Sequence, residues 1–100
     1  MSLSLERELR NLVKTGKVYL GVKESMKAVR LGKAKLLIMA ENIPPEYRER
    51  LKYYARLSGV PIITFRGTSI DLGLAIGKPF RVSAIAVVDE GSSRILELAE

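Results

Sequence analysis

Val18-Tyr19-Leu20-Gly21-Val22-Lys23-Glu24-Ser25-Met26-Lys27-Ala28-Val29-Arg30-Leu31-Gly32 decides how this chain folds. Val18-Tyr19-Leu20 is a short β-branched and aromatic run, the composition of a strand. Gly21 interrupts it, and a helix over roughly 24–31 follows at once, with Lys23 and Glu24 at its first turn. Met26, Val29 and Ala28 supply its apolar side, and Gly32 suits the left-handed residue after its end. A strand that turns straight into a helix is the repeating unit of an α/β protein. Its corner aims backbone N–H groups and a positive dipole end at whatever docks there, and an anion suits it.

The same alternation extends in both directions. Upstream, Leu5, Leu9, Leu12 and Val13 recur at helical spacing over residues 3–15. Glu6, Arg7, Glu8 and Arg10 fill the wet face, Ser2 or Ser4 caps the start, and Thr15-Gly16 ends the helix. Downstream, residues 35–40 are nearly all apolar, the pattern of a strand covered on both faces. Pro45 opens a helix that runs to about Ser58, with Tyr47, Leu51, Tyr54, Ala55 and Leu57 available to a core. Residues 61–65 read as a third strand. Thr68 and Asp71 form a short capping box for a helix over 69–76, with Leu72, Ala75 and Ile76 inward. A loop over 78–81, a fourth strand over 82–88, a turn at 89–93 and a short helix over 94–98 complete the chain. Helices alternating with strands imply an α/β/α sandwich, with crossovers long enough for parallel neighbours. Strand order is not fixed by this pattern. One hundred residues without linker or repeat suggest one domain, 1–100.

Composition narrows the chemistry. There is no Cys and no His, which removes disulfides, thiol catalysis and the usual zinc and haem ligands. Acid–base work is left to Asp, Glu, Lys and Tyr. Asp71 is explained as a cap partner, and Glu41 and Asp89-Glu90 sit at strand ends, where inert domains carry acids too. The corner has one glycine and lacks the spacing of a nucleotide-phosphate loop, and no dinucleotide fingerprint is present. No enzyme, cofactor or small-molecule substrate is expected. No apolar run approaches a membrane span, and no helix pairs a lysine-rich face with bulky aromatics.

The net charge of +6, from 17 basic and 11 acidic residues, favours a polyanionic partner. Lys17, Lys23, Lys27, Arg30, Lys33 and Lys35 cluster around the corner in sequence. Lys23, Lys27 and Arg30 stand at i, i+4 and i+7 and share a helix face. Such a face is either simply solvated or neutralised by phosphates. Asn42 follows the second strand, and Phe80, Arg81 and Val82 precede the fourth. If these loops gather beside the corner they offer an amide, a guanidinium and an apolar patch, the combination that reads unpaired RNA. Alternatively Asn42 is a turn former, and Phe80 and Val82 are core.

Six blocks carry a family resemblance: Thr15-Gly16-Lys17; Leu20-Gly21-Val22-Lys23-Glu24-Ser25; Lys33-Ala34-Lys35-Leu36-Leu37-Ile38 with Ala40-Glu41-Asn42; Tyr53-Tyr54-Ala55-Arg56-Leu57-Ser58-Gly59; Gly67-Thr68-Ser69-Ile70-Asp71-Leu72-Gly73; and Gly77-Lys78-Pro79-Phe80-Arg81-Val82-Ser83. With them the chain, from about residue 3 to 98, resembles the archaeal and eukaryotic L30e family of large-subunit ribosomal proteins. That family lies within the L7Ae superfamily of kink-turn RNA binders. The resemblance implies a sandwich with a mixed four-stranded sheet. It implies a structural role in the large ribosomal subunit, bound in the cytoplasm to a kink-turn-like internal loop of ribosomal RNA beside neighbouring ribosomal proteins, and a monomer when free. It implies RNA contacts by Gly21 and Lys23 at the corner, with Glu24 beside them, by Asn42, and by Phe80 and Val82 lining a pocket for bases. Lys27, Arg30, Lys33 and Lys35 join them as positioning cations for the RNA backbone, and Arg81 adds a guanidinium. The wider superfamily often has Asn-Glu where this chain has Lys23-Glu24, so roles outside the ribosome do not transfer. Another ribonucleoprotein with a kink-turn, or a protein–protein module on the same fold, are the alternatives.

Overall fold

A computed structural model describes residues 3–99. The elements are α1 (Leu5–Thr15), β1 (Lys17–Leu20), α2 (Val22–Arg30), β2 (Leu36–Ala40), α3 (Pro45–Ser58), β3 (Ile62–Phe65), α4 (Ser69–Ala75), β4 (Ala84–Asp89) and a closing 3-10 turn (Ile95–Leu98). The four strands form one mixed sheet in the order β1-β4-β2-β3. β4 is antiparallel to both its neighbours, with Ile85 opposite Leu20 on one side and Ile38 on the other. Only β2 and β3 are parallel, joined by α3 as the crossover helix that such a pair requires.

The two faces of the sheet carry separate apolar clusters, which makes the three layers. Leu36, Ile38, Ala40, Ile85 and Val87 pack against Leu9 and Leu12 of α1, Leu72 of α4 and Ile95. Leu37, Met39 and Ala84 pack against Val29 of α2 and Leu51 and Ala55 of α3. All of β2 is buried, as its continuous apolar run requires. Each fully buried Leu or Ile contributes about 1.5–3 kcal/mol through water-exclusion, so these two clusters dominate the favourable side of folding.

Ser4 caps α1, accepting from the Arg7 N–H at 3.4 Å; the alternative cap, Ser2, lies outside the described residues. The reading of Glu8 as a wet-face residue is corrected. Glu8 is 7% exposed, and its carboxylate accepts from the Ser93 hydroxyl at 3.0 Å and the Arg94 N–H at 2.7 Å. It therefore fastens α1 to the segment that leads into the 3-10 turn. Tyr47 and Leu57, expected in the core, are exposed, because α3 buries only the narrow side that carries Leu51 and Ala55. Helix α2 starts at Val22, two residues before the expected bound, because Gly21 makes the whole corner with a φ of 98°. Strand β4 starts at Ala84, not 82. The Val82 N–H is diverted to the Ser69 carbonyl at 2.9 Å, so Val82 cannot join the ladder.

Candidate RNA interface

Because β1 and β2 run the same way and β4 runs against them, four connections meet at one end of the sheet. They are the Gly21 corner, the 41–44 loop, the 66–68 loop and the 78–83 segment. Backbone hydrogen bonds stitch them together. The Gly21 N–H donates to the Ala84 carbonyl at 2.8 Å, Ala40 N–H to Ser83 at 2.9 Å, and Glu41 N–H to Gly67 at 2.9 Å. The expected gathering of loops beside the corner is present.

The corner owes its shape to Gly21. Its φ of 98° and ψ of 159° lie where a side chain is strained, and a Cβ there would meet nothing within 4 Å. The approach to the first turn of α2 is thus open. Lys23 and Glu24 stand exposed in that turn, beside the unpaired N–H groups of the helix start. Ser25 turns inward, and its hydroxyl donates to the Tyr19 carbonyl at 3.4 Å, fixing α2 to β1.

Asn42 has two jobs on one amide. Its Oδ1 accepts from the Ser69 N–H at 2.8 Å and so closes the start of α4 together with the capping box of Thr68 and Asp71. The residue is exposed, and among the described residues its Nδ2 donors have no partner. Behind it, the Arg48 guanidinium donates to the Glu41 carbonyl at 2.6 Å and pins the same loop.

Phe80 and Val82, paired in the sequence reading, part company here. Phe80 is 55% exposed. Val82 is 1% exposed and belongs to the core cluster under α4, so the expectation that it lines an open pocket is corrected. It anchors the segment that displays Phe80 and the exposed Arg81. Phe80, Arg81, Pro79 and Lys78 border a shallow cleft whose other wall is Ile70 and Leu74, both exposed on α4. Sequence reasoning missed that wall, although Ile70 and Leu74 are four apart and opposite the buried Leu72. It also missed Gly73. A Cβ at Gly73 would run into the Phe80 carbonyl oxygen, so only glycine lets the segment lie against α4. A glycine inside a helix was the available signal. Nothing in the sequence marked Arg48.

The basic cluster divides in space. Lys17 begins β1 and Lys35 immediately precedes β2, both at the opposite end of the sheet. Lys35 is held there by Glu90 at 3.1 Å, so its expected role as a free backbone cation is corrected. Backbone hydrogen bonding, and then Lys35, lower the Glu90 carboxyl below the usual carboxylate value. Lys27 lies midway along α2. Lys33 lies past its far end, about 13 Å from the corner by the helix rise. With Glu24, Tyr19 and Leu31 these two lysines border a depression that runs along α2. Arg30 leans away from them over the Tyr54 ring of α3, 5.2 Å from its centroid.

Among the described residues no cluster of acidic residues suits a metal ion, and no helix is long and apolar enough to cross a membrane. What the loop end offers is hydrogen-bond donors, cations and an exposed aromatic ring around an open glycine corner. That set is chemically suited to polyanions and bases.

Known proteins place this arrangement in a family. The model of the ribosomal protein L7Ae/L30e/S12e/Gadd45 family matches residues 4–97. Large ribosomal subunit protein eL30 of Aeropyrum pernix is 56% identical over 98 residues, 98% of each chain. The eL30 proteins of Methanothermobacter thermautotrophicus and Methanocaldococcus jannaschii are each 46% identical, over 96% and 99% of this chain and 98% and 90% of their own. Similar along nearly its whole length to these proteins, the chain belongs to the ribosomal protein L7Ae/L30e/S12e/Gadd45 family.

Proposed function

We propose that this protein is a structural constituent of the large ribosomal subunit that binds a kink-turn-like internal loop of ribosomal RNA at the loop end of its sheet. The observation that carries the reading is the convergence of Gly21, Asn42 and the Phe80 segment on one edge, tied by backbone hydrogen bonds. A sharply bent RNA presents splayed bases and crowded phosphates together, and a rigid edge with mixed donors suits that shape.

Each residue has a part. Gly21 admits the RNA backbone to the start of α2 without a side chain in the way. Lys23 donates to a guanine edge or a phosphate, and Glu24 accepts from a base amino group. Asn42 donates through the half of its amide that Ser69 leaves free. Phe80 takes the face of an unstacked base, and Arg81 and Lys27 hold phosphates. Lys33 reaches a phosphate only where the RNA continues along α2. Val82 serves from beneath, by holding Phe80 in place. The protein captures and stiffens a bent RNA and performs no chemistry on it. In the ribosome its partners are this RNA and neighbouring ribosomal proteins, in the cytoplasm, and the free chain is monomeric.

Phe80→Ala tests the reading. The exposed ring is dispensable for folding, so the variant should keep its unfolding transition and lose kink-turn affinity by about 1–3 kcal/mol, the scale of one base stack. A variant that binds as tightly as the parent would contradict the assignment.

A further inference from the structure

The outer face of the α2–α3 layer carries a second cluster of features, and most of it lies beyond Lys23, Glu24, Lys27 and Arg48, which serve the loop end. Both helices start at the loop end and run side by side, joined where the Ser58 hydroxyl donates to the Val29 carbonyl at 3.1 Å. Their cations are Lys23, Lys27 and Arg30 on α2, and Arg48, Arg50, Lys52 and Arg56 on α3. Their acids are Glu24, Glu46 and Glu49, all near helix starts, where the dipole favours them. Among the described residues the only ion pairs are Lys35–Glu90 and Arg94–Glu97, both elsewhere. The positive charge of this layer is therefore not neutralised within the chain.

Aromatic surface is interleaved with that charge. The Arg30 guanidinium lies over the Tyr54 ring, and Tyr54 meets Tyr53 edge-on, with centroids 5.3 Å apart. Tyr53 is 55% exposed. Arg50 is three residues before it and Leu57, 67% exposed, is four after, so all three share the outward stripe of α3. An exposed tyrosine between unpaired arginines is the pattern of a base-stacking platform on a cationic track.

We propose that this face binds a second RNA segment, an unpaired strand whose base stacks on Tyr53 while Arg30 and Arg50 take its flanking phosphates. The proposal rests on the RNA reading above only for its cellular setting. Charge complementarity selects the occupant: a neutral apolar partner would leave Arg30, Arg50 and Lys52 unneutralised, and a duplex would offer no base face to Tyr53.

The test uses the full chain saturated with a kink-turn RNA, so that the loop end is filled. A fluorescent ten-nucleotide oligouridine is then titrated at low salt, by anisotropy and by amide shifts of the labelled protein. Binding is expected, with shifts centred on Arg30, Arg50 and Tyr53. Tyr53→Ala should weaken it by about fivefold or more. Arg50→Gln should lower the slope of log affinity against log salt by about 0.7. Kink-turn affinity should not change in either variant, and Arg50→Gln carries the test if Tyr53→Ala does not fold. Oligouridine binding that is indifferent to both substitutions would overturn the proposal. So would binding of a polyglutamate peptide, with the same sensitivities, in place of the oligonucleotide. If the chain takes no kink-turn RNA, the loop-end reading fails alone. The same titration on the free protein then decides this one, since binding sensitive to Tyr53→Ala supports it and insensitive binding refutes it.

Discussion

Gly73→Ala sets two physical effects against each other. Alanine is the better helix former by about 1 kcal/mol, so propensity alone predicts a more stable protein. The structure predicts the reverse. A methyl group at residue 73 would overlap the Phe80 carbonyl oxygen, a backbone atom that cannot rotate aside. Either α4 or the 78–82 segment must shift. Forcing one extra carbon into a packed contact costs about 1–3 kcal/mol. Moving the segment also stretches the Val82 N–H to Ser69 bond and the Lys78 N–H to Gly73 bond, each 2.8–2.9 Å long and worth about 1 kcal/mol. Offset by the propensity gain, the net loss is about 2–4 kcal/mol. For a chain of 100 residues this lowers Tm by about 4–8 °C per kcal/mol, which circular dichroism resolves easily. The affinity consequence is separate. Where the variant is still folded, Phe80 is displaced, and kink-turn binding should fall nearly as far as in Phe80→Ala. A raised Tm with unchanged binding would show that the segment does not lie on α4 as described.

Substitutions at three further residues, Lys23, Asn42 and Glu8, probe the rest of the interface and its supports. Lys23→Ala should weaken kink-turn binding by about 1–3 kcal/mol in a filter assay, the scale of a base-edge contact, and unchanged affinity would remove Lys23 from the interface. Asn42→Asp keeps an oxygen for the Ser69 N–H but no outward donor, so Tm should hold while RNA affinity falls; Asn42→Ala should lose both, with about 1 kcal/mol of stability. RNA affinity kept in Asn42→Asp, and lost in Asn42→Ala only together with Tm, would show that Asn42 acts only as a cap. Glu8→Ala strands the Arg94 N–H, while the Ser93 hydroxyl keeps its bond to the residue 8 main-chain carbonyl, and should cost about 1–3 kcal/mol in denaturant unfolding without touching RNA affinity. No change in the unfolding midpoint would refute that role for Glu8. On acidification, the Lys35–Glu90 pair should lose its contribution only as pH falls through the lowered Glu90 pKa, because the pair is complete above the ordinary carboxylate range. An unfolding midpoint that changed between pH 6 and 8 on account of Lys35→Ala alone would contradict this.

The layers and the order of elements were legible because they rest on local signals. The period of Leu5, Leu9 and Leu12, the unbroken apolar run of β2, and the Thr68–Asp71 box each declare an element without help from the rest of the chain. The misreadings came where distant parts of the chain decide. Glu8 looks like a surface acid until the Ser93–Arg94 turn, more than eighty residues away, arrives to be capped. Val82 looks like half of an aromatic–aliphatic pair with Phe80, yet with its N–H tied to Ser69 it is buried while Phe80 stays exposed. Lys33 and Lys35 are two apart in sequence, but one ends the approach from α2 and the other stands just before β2, paired with Glu90. Adjacency along the chain carried the charge count but not its geography. The supports of the site, Arg48 and Gly73, are legible only with the 41–44 and 78–82 segments in place.

The account stands or falls on whether the loop end recognises a bent RNA rather than RNA charge in general. The direct measurement compares the affinity of the protein for a kink-turn RNA with that for the same strands straightened by closing the internal loop with complementary pairs, at 150 mM salt. Shape recognition by Gly21, Lys23, Asn42 and Phe80 predicts a preference of at least a hundredfold for the kinked form, about 2.7 kcal/mol or two good contacts. Equal affinities, both falling together with added salt, would mean that the cations act alone and that the loop end is no reader of RNA shape.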